Sequence, residues 1–153
     1  MGEFLFFDTA DLRDEEIALS LKRTAEEDPV RQLVPAYYFD ILHAKTGERM
    51  GECDLRVGSG YNIYYAGNIG YRVFERFQGH HYAGHACRLL FRLAQRHGME
   101  EVLVTCKTDN IASARICEWA GMAHLGIILL PEDNPMYAQG YREIHRFVWR
   151  IRR

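Results

Sequence analysis

Val102-Leu103-Val104-Thr105-Cys106 leads, after Lys107-Thr108, into Asp109-Asn110-Ile111-Ala112-Ser113-Ala114-Arg115-Ile116-Cys117-Glu118-Trp119-Ala120-Gly121-Met122. The first run predicts a strand from Glu101 to Cys106, rich in β-branched and apolar residues. An amide, Asn110, follows it. A hydroxyl (Ser113) and a cation (Arg115) then open a short helix near Ser113 to Ala120, and Gly121 closes it.

Upstream lies a second informative block, Phe77-Gln78-Gly79-His80-His81-Tyr82-Ala83-Gly84-His85-Ala86. It falls between a strand expected at Asn68–Val73 and a helix expected at Tyr82–His97. In that helix Ala83, Ala86, Cys87, Leu90 and Ala94 recur at helical spacing. Arg88, Arg92 and Arg96 take other faces, and Gly98 supplies the stop.

The remaining segments complete the order. Phe4 to Phe7 reads as a short strand. Asp11 to about Glu26 reads as a helix, with Asp14, Glu15 and Glu16 in the first turn, where the macrodipole favours acids. Leu12, Ile17, Leu21 and Ala25 give its apolar stripe, and Pro29 ends it. Tyr37–His43 and Glu48–Val57 form a hairpin turned at Thr46-Gly47, followed by a tyrosine-rich loop, Gly58 to Ala66. After the short helix come a strand at Ala123–Leu130, a loop through Pro131 and Pro135, and a strand at Tyr141–Ile151. This is a β-α-β-β-β-α-β-α-β-β order, read as mixed α/β (α+β) in one domain over residues 1–153.

Composition narrows the function classes. The 153 residues are 48% hydrophobic and 26% charged, enough apolar material for a core without disulfides. A formal net charge of -2 argues against non-specific nucleic-acid binding. No apolar run approaches the roughly 20 residues of a membrane helix. Met1 to Ala10 lacks the basic segment and cleavage site of a signal peptide, so a cytoplasmic location is expected. Cys53, Cys87, Cys106 and Cys117 form no C-x-x-C pair and read mostly as small buried residues.

In their order and separation the two blocks resemble the GNAT superfamily of N-acetyltransferases, closest to the branch that acetylates ribosomal-protein N-termini. The resemblance is specific from about Ile69 to Met122. It implies a mostly antiparallel sheet whose central parallel pair, Asn68–Val73 and Glu101–Cys106, splays around the cofactor site, with helices on both faces. It also implies acetyl-CoA as co-substrate, no metal, and an amine acceptor (a protein or peptide N-terminus, or a small-molecule amine) acetylated directly, without an acyl-enzyme. The backbone of Tyr71, Arg72 and Val73 would contact pantetheine. Gln78, Gly79, His80, His81, Tyr82, Ala83 and Gly84 would form the pyrophosphate loop. That site type has a general basis, since unpaired N–H groups and the positive end of a helix bind anions, and small residues let phosphate approach the backbone. His81 stands where most relatives have glycine. Asn110 and Ser113 match cofactor-contacting positions, and each also reads as a helix cap.

The reacting groups are less defined. Cys117 sits where other branches place a tyrosine that protonates the departing thiolate. It reads as a catalytic acid or as a packing cysteine. Relatives often carry Glu just before Ile-Gly-Tyr, where this chain has Asn68. Glu52 and Asp54 share one face of the preceding strand, and Glu52 is the catalytic candidate, acting through water; a solvated carboxylate is the plainer reading. Arg115 and Glu118 read as a structural pair. His81 and His85, four apart, read as phosphate-facing imidazoles rather than metal ligands. Tyr61, Tyr64 and Tyr65 suit an acceptor mouth, loop packing or a homodimer contact. The rival to an enzyme is a CoA-binding regulatory or interaction module without turnover.

Overall fold

The structure, a computed structural model, describes residues 3–151. Among the described residues seven strands form two antiparallel sheets. The first holds β1 (Ile17–Ala25), β2 (Ala36–His43), β3 (Arg49–Arg56) and β4 (Ile69–Val73) in that order. The second holds β5 (Glu101–Lys107), β7 (Glu143–Arg150) and β6 (Ala123–Leu129), with β7 in the middle. The helices are α1 (Tyr61–Ala66), α2 (Tyr82–Arg96), α3 (Ile111–Trp119) and α4 (Pro135–Ala138).

The edges β4 and β5 meet at one point. Asn68, just ahead of β4, gives its N–H to the Leu103 carbonyl (2.7 Å), and its side-chain oxygen accepts from the Leu103 N–H (2.9 Å). No ladder continues from there among the described residues, so the expected central pair is parted rather than paired along its length. The helix α2 bridges the two sheets. Its buried face runs through Ala83, Ala86, Cys87, Leu90, Leu93 and Ala94, against a core of Tyr37, Phe39, Ile41, Leu55, Val102, Val104 and Phe147.

Four expectations are corrected. The segment Asp11 to Glu26 is not a helix but a turn leading into β1. Asp14 is the reason: its carboxylate accepts from the N–H groups of Glu16 (2.8 Å) and Ile17 (2.9 Å), so the acid closes a turn instead of opening a helix. Ile17 and Leu19 then bury at the two-residue period of a strand, paired with β2, while Leu21 stays exposed. Tertiary pairing overrides the helical stripe. Phe4 to Phe7 joins no ladder and is held by rings, Phe4 and Phe7 stacking on His97. The loop Gly58 to Ala66 ends in α1, and the loop through Pro131 and Pro135 contains α4, with Asn134 accepting from the Met136 N–H as its cap.

Candidate active site

The leading end of α2 and the parted edge of β4 share one cleft of about 530 Å³. Tyr71, Arg72 and Val73 of β4 form one wall, and Asn110, Ala112, Ser113, Arg115 and Ile116 of α3 form another. Phe77, Gln78, Gly79, His81, Tyr82 and Ala83 close the end. Of the twelve residues expected to hold the cofactor, ten therefore lie on this cleft. His80 and Gly84 do not.

Local chemistry sets each wall. Gln78 donates its side-chain N–H to the Val73 carbonyl (3.0 Å), tying the loop to the end of β4. Gly79 has φ +91, a conformation that glycine reaches at little cost, and a Cβ there would meet nothing within 4 Å. Its glycine answers a backbone angle, not crowding. His81 begins α2 in the left-handed region, φ 63, with no side-chain cap on the helix. The first-turn N–H groups thus carry the anion-binding character of an open helix start. The His81 ring lies flat on the Trp119 indole, 4.5 Å between centroids and 6° between planes.

Gly84 serves packing. A Cβ at that position would sit 2.3 Å from Trp119 Cε3, so its smallness makes room for the indole and not for a phosphate. His80 is exposed and stacks on Tyr82 at 5.3 Å. His85 turns back to Asp14, Nδ1 to Oδ2 at 2.8 Å. Among the described residues no group of three or more His, Cys, Asp or Glu side chains is placed to hold a metal ion.

At α3, Asn110 caps the helix by accepting from the Ser113 N–H (3.0 Å), while both residues line the cleft. Cap and cleft positions coincide, as the sequence allowed. Cys117 lies beneath the cleft, fully buried, its Sγ 3.9 Å from the Tyr71 hydroxyl. Burial pushes its thiol up to about 12, with the Tyr71 hydroxyl offsetting part of the effect. The near parity with a departing CoA thiol that an exposed cysteine offers is lost here. The Tyr71 hydroxyl, reaching from β4, bonds the Ser113 Oγ instead. Sequence reasoning used only the backbone of Tyr71 and missed this side chain, because nothing local in Ile-Gly-Tyr shows which face the ring takes.

The expected base falls elsewhere. Glu52 pairs with Lys22 (3.1 Å) and Arg49 (3.2 Å) and faces a separate cleft on the outer side of β3 and β4. Asp54, Tyr71 and Arg72 line that second cleft too, so Tyr71 and Arg72 form a wall common to both. Burial raises the Asp54 carboxyl above its ordinary value, against the pull of Arg56, whose Nε lies 3.3 Å away. Arg115 and Glu118 make no ion pair among the described residues; Arg115 faces the first cleft. Asn68, in the place of the relatives' Glu, is 2% exposed and consumed by structure, donating to the carbonyls of Arg56 (2.8 Å) and Gly58 (3.0 Å).

A model of the acetyltransferase (GNAT) domain matches residues 6–123. No curated protein sequence matches the chain. Among solved structures, the ribosomal L7/L12 α-N-protein acetyltransferase RimL in complex with coenzyme A is similar, with 22% identity and TM-score 0.58 over 80% of this chain and 64% of that one. So is the microcin C7 self-immunity acetyltransferase MccE in complex with acetyl-CoA and AMP, with 19% identity and TM-score 0.59 over 76% and 61%. A ribosomal-protein-serine acetyltransferase homologue from Vibrio cholerae gives 20% identity and TM-score 0.58 over 76% and 64%. At these identities the likeness is one of fold. The chain spans somewhat less than two thirds of each of these three.

Proposed function

We propose that this chain, which belongs to the GNAT acetyltransferase domain family, transfers an acetyl group from acetyl-CoA directly to a primary amine. The observation that carries this is the single cleft on which the uncapped start of α2, the free edge of β4 and the Asn110–Ser113 turn all meet. The cofactor's chemistry fits it: N–H groups of Tyr82 and Ala83 suit a diphosphate, and Arg115 adds a cation on the same cleft. The backbone of Tyr71, Arg72 and Val73 holds the pantetheine arm, and Asn110 and Ser113 face its thiol end.

When bound, acetyl-CoA supplies an activated thioester. The protein's own work is to align an amine with that carbonyl and to take up the amine's proton. The second cleft, across the Tyr71–Arg72 wall, is the approach for the amine. Asp54 is the base of choice there, since its raised carboxyl titrates closer to neutral pH and Glu52 is held by two cations. The ribosomal-protein enzymes among the structural neighbours make a peptide N-terminus the first acceptor to try, ahead of small amines. Four free, buried cysteines suit a cytoplasmic, reducing setting; no helix among the described residues is long and apolar enough to cross a membrane. A homodimer would pair through the free edge of β6, where Leu125, Ile127 and Leu129 are exposed, and sedimentation velocity tests it.

The test combines binding with turnover. Acetyl-CoA at a hundredfold excess over its Kd stabilises the native state by about 2.7 kcal/mol, visible as a higher Tm. Release of free thiol is then followed with a panel of peptides and small amines. Absence of any melting shift overturns the proposal. A shift without thiol release from any amine turns it into the binding module.

A further inference from the structure

The four strands of the first sheet set one row of directly opposed residues across its outer face. The row runs from Arg23 on β1 through Tyr38 on β2 and Asp54 on β3 to Gly70 on β4. All four line the second cleft, of about 410 Å³. Gly70 ends the row because the Asp54 carboxylate fills the space of a side chain: a Cβ there would lie 2.6 Å from Asp54 Oδ1. At the other end the Arg23 guanidinium lies over the Tyr38 ring, 3.8 Å from its centroid.

Charge on this face is not balanced. Lys22 and Arg49 take up the carboxylates of Asp40 and Glu52, and Arg56 takes that of Asp54. Arg23 and Arg72 are left over, and neither makes an ion pair among the described residues. Arg72 stands on the wall shared with the cofactor cleft, whereas Arg23 lines the second cleft and not the first. Burial raises the Asp54 carboxyl, and Arg56 and then Arg23 pull against it, so the Arg23 charge is felt at Asp54. Stacking engages the flat of a guanidinium and leaves the N–H groups in its plane free to grip a carboxylate. Asp54 has capacity left as well. Its 3.3 Å contact with Arg56 Nε falls outside hydrogen-bond geometry, which leaves the carboxylate open to an N–H from elsewhere.

We propose that the second cleft selects an amine that itself carries a carboxylate, Asp54 receiving the amine and Arg23 the carboxylate. This rests on the acetyltransferase reading and names the acceptor class within it. Neighbouring strands lie about 4.8 Å apart, so the Arg23 and Asp54 backbones, two strands apart, are separated by about 10 Å. With the guanidinium over Tyr38, between them, the carboxylate sits a few bonds from the amine. A small acidic amino acid meets that requirement, and so does a peptide N-terminus with an acidic second residue. An uncharged substituent gains nothing from Arg23, and a cationic one is repelled by it.

The test uses acceptor pairs in which one carboxylate is exchanged for its amide. The small-molecule arm compares glutamic acid α-amide with glutamine α-amide; the peptide arm compares C-terminally amidated serine peptides with glutamate or glutamine second. Thiol release gives kcat/KM for each in the wild type, Arg23→Gln and Arg23→Lys. In the wild type the acidic member is expected to lead by at least about tenfold, and the arm in which it does so names the source of the amine. In Arg23→Gln the ratio falls to near one, chiefly through KM, while Arg23→Lys lies between, keeping the charge and losing the fork. Arg23 is exposed and off the cofactor cleft, so both variants keep the melting shift given by acetyl-CoA. Equal use of both members by the wild type overturns the proposal and leaves the acetyltransferase reading standing. An acidic preference that persists in Arg23→Gln also overturns it, as does a wild type that binds acetyl-CoA and acetylates no member of either pair. Absence of any melting shift in the wild type overturns both.

Discussion

Asn68 and Leu103 form a two-bond clasp between the sheets, backbone N–H to carbonyl at 2.7 Å and side-chain oxygen from N–H at 2.9 Å. The amide side chain takes the place of a second peptide unit, so one residue completes what a continued ladder would have supplied. The same side chain donates to two carbonyls of the first sheet, at Arg56 and Gly58. Beyond this clasp the strands part, and the cleft exists because they do.

Asn68→Ala is therefore a stability mutation at a position where the family resemblance would place a glutamate base. It leaves a buried N–H and two carbonyls without their partners, at a cost of about 3 kcal/mol. Asn68→Asp retains the acceptor but sets carboxylate oxygens against both carbonyls, and destabilises too. Urea unfolding is the measure. A loss under about 1 kcal/mol in Asn68→Ala would show the clasp to be dispensable.

Gly84→Ala pits two effects against each other. Alanine improves helix propensity by up to about 1 kcal/mol. Its Cβ would meet Trp119 at 2.3 Å, and the indole is itself fixed between the His81 ring and the Arg88 guanidinium, 4.0 Å away. Overpacking costs of about 1–3 kcal/mol outweigh the helix gain. The variant is expected to melt lower and bind acetyl-CoA more weakly, because the displaced indole carries His81 with it. Equal melting temperatures would place the indole elsewhere.

His97 gives the fold a pH dependence. The Phe7 N–H donates to the Tyr37 oxygen (2.8 Å), so the Tyr37 hydrogen goes to His97 Nε2 (2.7 Å), which must be unprotonated. Burial, helped by Arg96, lowers the His97 pKa from its ordinary 6.5. For a depressed pKa the unfolded chain binds the proton first. The stabilisation is whole above 6.5 and drains away as pH falls through the lowered folded value. Stability measured from pH 7.5 down to about 5 should fall more steeply in the wild type than in His97→Phe. Parallel curves would remove His97 from the account.

Asp54 and Glu52 separate by their surroundings. Asp54→Asn is expected to lower kcat/KM at least about tenfold, the range of a lost general base. Glu52→Gln, which loses an exposed pairing with Lys22 and Arg49, should stay within about threefold, since such pairs contribute little. In the wild type, kcat/KM rises with pH as the Asp54 carboxyl ionises, above its ordinary 3.8. A larger loss in Glu52→Gln than in Asp54→Asn would reverse the assignment.

Where the signal was local, the sequence was legible. The strand Glu101–Lys107, its Asn110 cap and the helix to Trp119 follow from residues a few positions apart, as does α2 with its stop at Gly98. That is why ten of the twelve expected cofactor positions fall on one cleft. Residues 11–26 are ambiguous in sequence because Asp14 and an apolar stripe fit both a helix start and a turn into a strand, and only pairing with β2 settles the choice. Gly84 reads locally as a phosphate-loop glycine because chain order does not show that Trp119, thirty-five positions on, fills the space.

The sequence by itself determined the element order around the cleft and the family, because capping, turn geometry and hydrophobic period act over short range. Tertiary structure alone decided which side chains face the reaction. It sent Cys117 beneath the wall, tied Glu52 to two cations, made Asn68 a clasp and brought Tyr71 to Ser113 across forty-two positions. Burial and partner choice depend on groups far away in the chain, and no local pattern encodes them.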